Sequence, residues 1–367
     1  MPASSAHRRA LFTGTLYALA AGLMWGLVLI APTLLADYSA ALLSVGRYLA
    51  FGLIALPLAW WARVRLAELT RADWLQALKL SAVGNLLYYL CLAAAIQRAG
   101  GPLPTMIIGT LPVVIAIASN LRSSAAVRAR DGHLPWARLA PSLLLIAAGI
   151  GCVNQAELQH LQQTGGIDFK RYAEGALLAV AAVACWTWYP IRNADWLRAH
   201  PDRSASAWAT AQGLATLPLA LLGYALLWGW TALQGDSAAA SALQTAVQTA
   251  VPSSVQATLP SSLPTSLPIS LPFGPRPWAF VGLMLAMGLF ASWLGTLCWN
   301  EASQRLPPAL AGQLIVFESL AALAYAFALR GQAPQPLTMA GVALLIAGVL
   351  LALRSGRPAV QPVERPL

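Results

Sequence analysis

The sequence predicts an all-α integral membrane protein whose ten transmembrane helices form two inverted five-helix repeats. Composition is the first reason: 58% of the 367 residues are hydrophobic and 10% charged, more apolar surface than a soluble core of that length can hide. Segmentation is the second, because ten apolar runs reach the roughly 17 to 25 residues that cross a hydrocarbon layer. Repetition is the third. Gly52-Leu53-Ile54-Ala55-Leu56-Pro57-Leu58-Ala59 returns 161 residues later as Gly213-Leu214-Ala215-Thr216-Leu217-Pro218-Leu219-Ala220, and the same offset places Trp25 on Trp186.

The runs lie at 11–35, 40–61, 74–97, 103–121, 136–155, 173–192, 205–230, 277–300, 308–329 and 336–353. The first follows Arg8-Arg9, as a signal peptide would, but it is longer than a cleavable apolar core and leads directly into further spans, so it is expected to be retained. Gly14, Ala18, Gly22 and Gly26 repeat along it every four residues, giving one smooth face for close helix packing. The second and seventh runs carry the duplicated word. The fourth starts after Pro102 and Pro104, and Pro190 interrupts the sixth.

Two further matches keep the same order. Cys91 and Gln97-Arg98 recur 207 residues later as Cys298 and Gln304-Arg305, and Leu144-Leu145-Ile146-Ala147 recurs as Leu344-Leu345-Ile346-Ala347. Five helices per copy is an odd number, so the second copy enters the membrane in the opposite sense. The expected organisation is a cytoplasmic N-terminus at 1–10, a first repeat at 11–155, an external loop at 156–172, a second repeat at 173–353 and a cytoplasmic tail at 354–367. A low-complexity, disordered external loop at 234–276 interrupts the second repeat, since proline at the frequency of Pro260, Pro264, Pro268 and Pro272 excludes an α-helix there.

Orientation follows from loop charge. With the termini in the cytoplasm, seventeen basic residues fall inside and five outside, with Arg47 alone in the membrane. The net charge of +10 is therefore read as a topology signal rather than as a nucleic-acid surface.

Polar groups at membrane depth are the candidates for function. Glu318 is the one carboxylate well inside a span, and Arg47 is similarly deep. Each reads either as a structural group or as part of a solute path, and an ion pair between them is a third reading. Ser292, Thr296 and Asn300 share a face of the eighth helix, and Asn85 and Tyr89 hold the positions equivalent to Ser292 and Thr296 in the first repeat. That face either lines a cavity or bonds neighbouring helices, and Gln313 belongs with it. Trp25, Tyr48, Tyr88, Trp186 and Trp188 add aromatic surface inside the spans, which suits a solute with an apolar body and a polar end.

No cofactor or metal is expected. Cys91, Cys152, Cys185 and Cys298 are scattered through spans, and His7, His133, His160 and His200 are placed in termini or loops. An enzyme is disfavoured for the same reason, and the missing phosphate-binding loop argues against a primary pump. The expected partners are a small-molecule substrate and the lipid bilayer, without nucleic acid; the oligomeric state is open, a monomer included.

These residues also resemble a known group. Ala21-Gly22-Leu23-Met24-Trp25-Gly26, Arg47-Tyr48, Pro112, Gln304-Arg305-Leu306-Pro307 and Phe317-Glu318-Ser319 are similar in order and spacing to the drug/metabolite transporter superfamily, in particular its ten-helix EamA-type members. Ser319 stands where that group usually has proline. The resemblance implies two five-helix halves around a central cavity working by alternating access, commonly as an exporter of amino acids or related metabolites. Small multidrug members of the superfamily use an acid on the first helix for proton coupling; there is none between Thr13 and Leu35, which leaves Glu318 as the substitute candidate. A multidrug or organic-cation exporter is the alternative, and a non-transporting membrane scaffold a more distant one.

Overall fold

A computed structural model describes residues 2–99, 102–122, 136–164, 169–250, 274–306, 308–331 and 334–355, and all regular structure among them is helical. The helices are α1 (Pro2–Leu34), α2 (Ala40–Ala67), α3 (Arg71–Ala99), α4 (102–122), α5 (Trp136–Thr164), α6 (Phe169–Ala199), α7 (Ala205–Ala250), α8 (Pro277–Arg305), α9 (308–330) and α10 (Pro336–Ser355). Seven of them, α1 to α3 and α6 to α9, contain segments long and apolar enough to cross a membrane; α4, α5 and α10 contain shorter apolar helices.

Several helices run past the limits expected from hydropathy. α5 continues to Thr164 and α6 begins at Phe169, so most of the loop expected at 156–172 is helical, and His160 lies on a helix. His7 likewise falls within α1. α7 continues to Ala250, seventeen residues into the segment read as a loop from 234. Hydropathy reports where the chain turns polar, whereas backbone propensity decides where a helix stops. The Ala-rich stretch before Ala250 has no proline until Pro252. The remainder of that segment, residues 251–273 with its prolines, lies outside the described residues, as do Pro307 and 356–367.

Local chemistry sets the other boundaries. Ser39 caps α2 by accepting from the Leu42 N–H at 3.2 Å. Thr70 and Asp73 form a reciprocal capping box at the start of α3. α6 passes through Pro190 as one helix, as prolines in membrane helices can where neighbouring groups compensate.

Irregularities recur in corresponding places. Ser81–Leu87 within α3 and Met287–Leu294 within α8 are π-helical. α4 is broken at Thr110 and α9 at Ile315.

Packing pairs α2 with α7, α5 with α10, α3 with α6, and α1 with α8 and α9. α2 and α7 run antiparallel. A Cβ on Gly52 would meet Leu217 at 2.7 Å, one on Gly213 would meet Ala55 at 2.7 Å, and one on Gly223 would meet Val45 at 2.9 Å. The duplicated word thus packs against its own copy. Gly149 and Gly341 bring α5 and α10 equally close, since a Cβ on either would lie 2.7 Å from the other's carbonyl oxygen. The small-residue face of α1 does what its spacing predicts: a Cβ on Gly22 would lie 3.0 Å from the Glu318 nitrogen, and one on Gly26 2.8 Å from Ala321.

End-to-end contacts link segments that loop charge assigns to a common side. Arg98 pairs with Glu174 at 3.4 Å and Arg276 with Asp37 at one end; Arg203 pairs with Glu68 at 2.6 Å and Arg65 reaches Ser204 at 3.2 Å at the other.

Candidate functional site

Aromatic residues wall the centre of the bundle. Trp25 of α1 meets Trp186 of α6 edge to face at 5.1 Å and Trp299 of α8 at 5.3 Å. Trp186 also stacks between Tyr88, at 4.7 Å, and Tyr189, at 4.8 Å. Two glycines make room for this column. A Cβ on Gly84 would fall 2.2 Å from the Tyr189 ring, and one on Gly295 2.7 Å from the Trp25 indole nitrogen.

Beside the column is an enclosed cavity of about 10 Å³, roughly the room one water needs. Trp25, Tyr48, Tyr88 and Trp186 form its aromatic wall, Arg47, Asn85, Ser292, Thr296 and Glu318 its polar one, and Val28 and Ala291 complete it. Asn85 and Ser292 both project from the π-helical segments, whose extra residue per turn re-aims side chains and is frequent at functional sites.

Arg47 is 4% exposed. Its Nε donates to Ser292 Oγ at 3.1 Å and one terminal nitrogen donates to the Ala291 carbonyl at 3.4 Å, while the other, Nη1, has no partner. The guanidinium lies over the rings of Tyr48 and Tyr89, at 4.9 and 4.7 Å, which supplies attraction for a desolvated cation.

Glu318 is 2% exposed, and its Oε2 has no partner. It sits in the first turn after the break at Ile315, with its own N–H bonded to the Ile315 carbonyl at 2.9 Å. A helix N-terminus favours negative charge there. Arg47 and Glu318 line the same cavity without forming an ion pair within 4.0 Å. The amide nitrogen of Asn85, the Tyr88 hydroxyl and the Trp186 indole nitrogen are also unpartnered.

Four of the residues singled out in the sequence fall outside the cavity wall. Tyr89 is fully buried behind it and touches the site through Arg47. Trp188 faces a groove with Ala118, Leu121, Ile191 and Arg192; two residues from Trp186 on a helix, it lies on nearly the opposite face. Gln313 is buried elsewhere on α9. Asn300 stands eight residues from Ser292, about 12 Å along the axis, and its side chain bonds Asn193 at 2.8 Å and the Ala205 carbonyl at 3.2 Å.

Asn300 belongs to a second polar cluster that the spacing of Ser292, Thr296 and Asn300 did not reveal. Asn193 Oδ1 accepts from Trp208 at 2.8 Å and from Gln212 at 3.1 Å; Gln212 in turn accepts from Tyr189 at 2.9 Å. Gln212 was legible as a lone amide within an apolar run, and its partners were not. The sequence offsets expected of a repeat pair unlike residues here: an offset of 161 places Arg47 on Trp208, bonded into this cluster, and one of 207 places Glu318 on Leu111, fully buried.

Comparison with known proteins gives the family. The EamA-like transporter family profile matches residues 12–128 and 216–354. The inner membrane protein YtfF of Escherichia coli (strain K12) is 49% identical over 345 residues, covering 94% of this chain and 96% of that protein. A solved crystal structure shares the fold at a TM-score of 0.61 and 16% identity, covering 94% of this chain and 99% of its own. The chain is therefore a multi-helix membrane protein that belongs to the EamA-like transporter family.

Proposed function

We propose that this chain is a secondary transporter that moves small amphipathic metabolites, as an exporter of amino acids or related compounds, by alternating access around the cavity between Arg47 and Glu318. One observation carries the reading. Within a single enclosed space, a buried guanidinium nitrogen and a buried carboxylate oxygen each lack a partner. Unsatisfied buried charge is costly in a membrane and is expected where a solute completes it. A zwitterion offers a carboxylate to Arg47 and an ammonium to Glu318, with its apolar body against Trp25 and Trp186.

Ten spans in two inverted repeats form the scaffold of this proposal. It is supported by two separate matches to one family profile, by antiparallel packing of the duplicated word in α2 and α7, and by paired irregularities in α3 with α8 and α4 with α9. The likeness to an inner membrane protein supports the same location, and loop charge supports cytoplasmic termini. Neither cofactor nor catalytic group enters the scheme, and a single copy encloses the cavity.

Counterflow of labelled amino acids into proteoliposomes tests the proposal. Exchange of at least one zwitterion is expected; folded protein inactive across the full panel overturns the amino-acid version. Glu318 with its aromatic neighbours also fits an organic cation, so preferential exchange of cations without a carboxylate would favour that alternative.

A further inference from the structure

We infer that a crevice between α4, α6, α8 and α9, floored by Trp299 and Ser303, is a second binding site that holds the anionic, acceptor-bearing end of the solute between the arginine-rich face and the central cavity. The inference rests on the transporter reading.

The crevice, of about 10 Å³, has the room of one water here and widens to admit a carboxylate; it is lined by Ile115, Ala194, Trp299, Ser303, Ala311 and Gly312, among others. Trp299 and Ser303 are 3% and 1% exposed, and both the indole nitrogen and the hydroxyl lack partners. An indole N–H can only donate and a serine hydroxyl donates readily, so the pair presents donors to an acceptor such as a carboxylate. Leaving both atoms unpaired in a low-dielectric interior is unfavourable unless something visits.

Position makes the crevice a route. On one side it shares Ile191 with the groove of about 380 Å³ that holds Trp188 and Arg192, and Arg198 lines the crevice itself. The groove is within the size range of small-molecule sites, and Arg192 on its wall favours an anion there. On the other side Trp299 packs on Trp25, which walls the central cavity. Trp299 and Trp25 together separate crevice from cavity. Pro190 also lines the crevice. Having no N–H, it leaves the Trp186 carbonyl without its usual helical partner, between the residue that faces the cavity and the residues that face the crevice.

Accessibility labelling tests this without depending on transport. Full-length Ser303→Cys in oriented vesicles is exposed to a membrane-impermeant, negatively charged methanethiosulfonate, with the wild type labelled in parallel to account for its own cysteines. The expected result is modification of Ser303→Cys well above the wild type from the Arg192 face only, slowed by millimolar phenylalanine. Labelling no faster than the wild type, or only from the opposite face, overturns the inference. Trp299→Phe, which keeps an aromatic ring but loses the pyrrole ring with its N–H, is expected to raise the counterflow KM for phenylalanine about tenfold and to leave phenethylamine, which lacks a carboxylate, unchanged. Equal effects on both solutes overturn the assignment of the anionic end. A wild type with no counterflow for any solute instead overturns the transporter reading, whatever the labelling shows.

Discussion

The central cavity and the Asn193 cluster use the same kinds of residue at comparable burial, and they differ in whether those residues are satisfied. In the cluster, Asn193, Asn300, Gln212, Trp208 and Tyr189 bond one another. In the cavity, Arg47, Asn85, Tyr88, Trp186 and Glu318 each retain an atom with no partner. A polar group away from water is held in place by its partners, and without them it raises the free energy of the folded chain. The complete network therefore reads as a helix clasp, and the incomplete one as a place where a ligand finishes the bonding.

That contrast fails first at Arg47 if it is wrong. Arg47→Ala is expected to reduce counterflow of a zwitterion by about 100-fold or more, because a charge-assisted pair to a buried carboxylate is lost. Arg47→Lys is expected to recover little, since a compact ammonium cannot keep both bonds to the α8 segment and also reach a ligand. Wild-type rates for either variant would make Arg47 a structural group.

Glu318→Gln keeps the shape and removes the charge. Transport of amine-bearing solutes is expected to fall roughly 10- to 100-fold, with much less effect on solutes lacking an amine; counterflow of matched pairs of solutes checks it. An equal loss for both would assign Glu318 to packing against Gly22.

The cluster should respond in stability rather than in solute choice. Asn193→Leu strands the side chains of Asn300, Trp208 and Gln212, at an expected cost of about 1 to 3 kcal/mol. A thermal melt in detergent reads the loss, and KM is expected to remain near that of the wild type. Asn193→Leu combined with Asn300→Leu should recover part of the stability, because replacing both partners removes the unmet donor and acceptor together.

The smallest effect is at the surface. Arg276 bonds Asp37 and holds its carboxyl below the ordinary carboxylate range. Because the folded value is the lower one, the tie contributes above the unfolded pKa of about 4 and is lost as pH falls through the folded value. The melting-temperature difference between wild type and Asp37→Asn should be fully present at neutral pH and shrink below about pH 4; a difference that grows with acid would contradict the assignment.

Much of the framework was legible in the chain. Apolar run length located the helical segments, the four-residue spacing on α1 identified its close-packing face, and the duplicated word lies on two helices, α2 and α7, that pack together. Boundaries were less legible. Hydropathy does not see that Ala-rich sequence beyond 234 remains helical, nor that 156–164 continues α5. Nine of the thirteen residues singled out as site candidates line one cavity. The others show where one-dimensional spacing runs out: Trp188 is turned away by two residues of helix, and Asn300 is too far along the axis.

By itself, the sequence determined that the chain needs a bilayer, and it singled out a repeated word and the two charges Arg47 and Glu318 within apolar runs, because these follow from composition and order alone. Only the tertiary structure decided that those two charges face one cavity without pairing, while Asn193 and Gln212 find complete partners. Hydrogen-bond satisfaction depends on distances between residues far apart in the chain, such as the 245 positions from Arg47 to Ser292, and no local pattern encodes it.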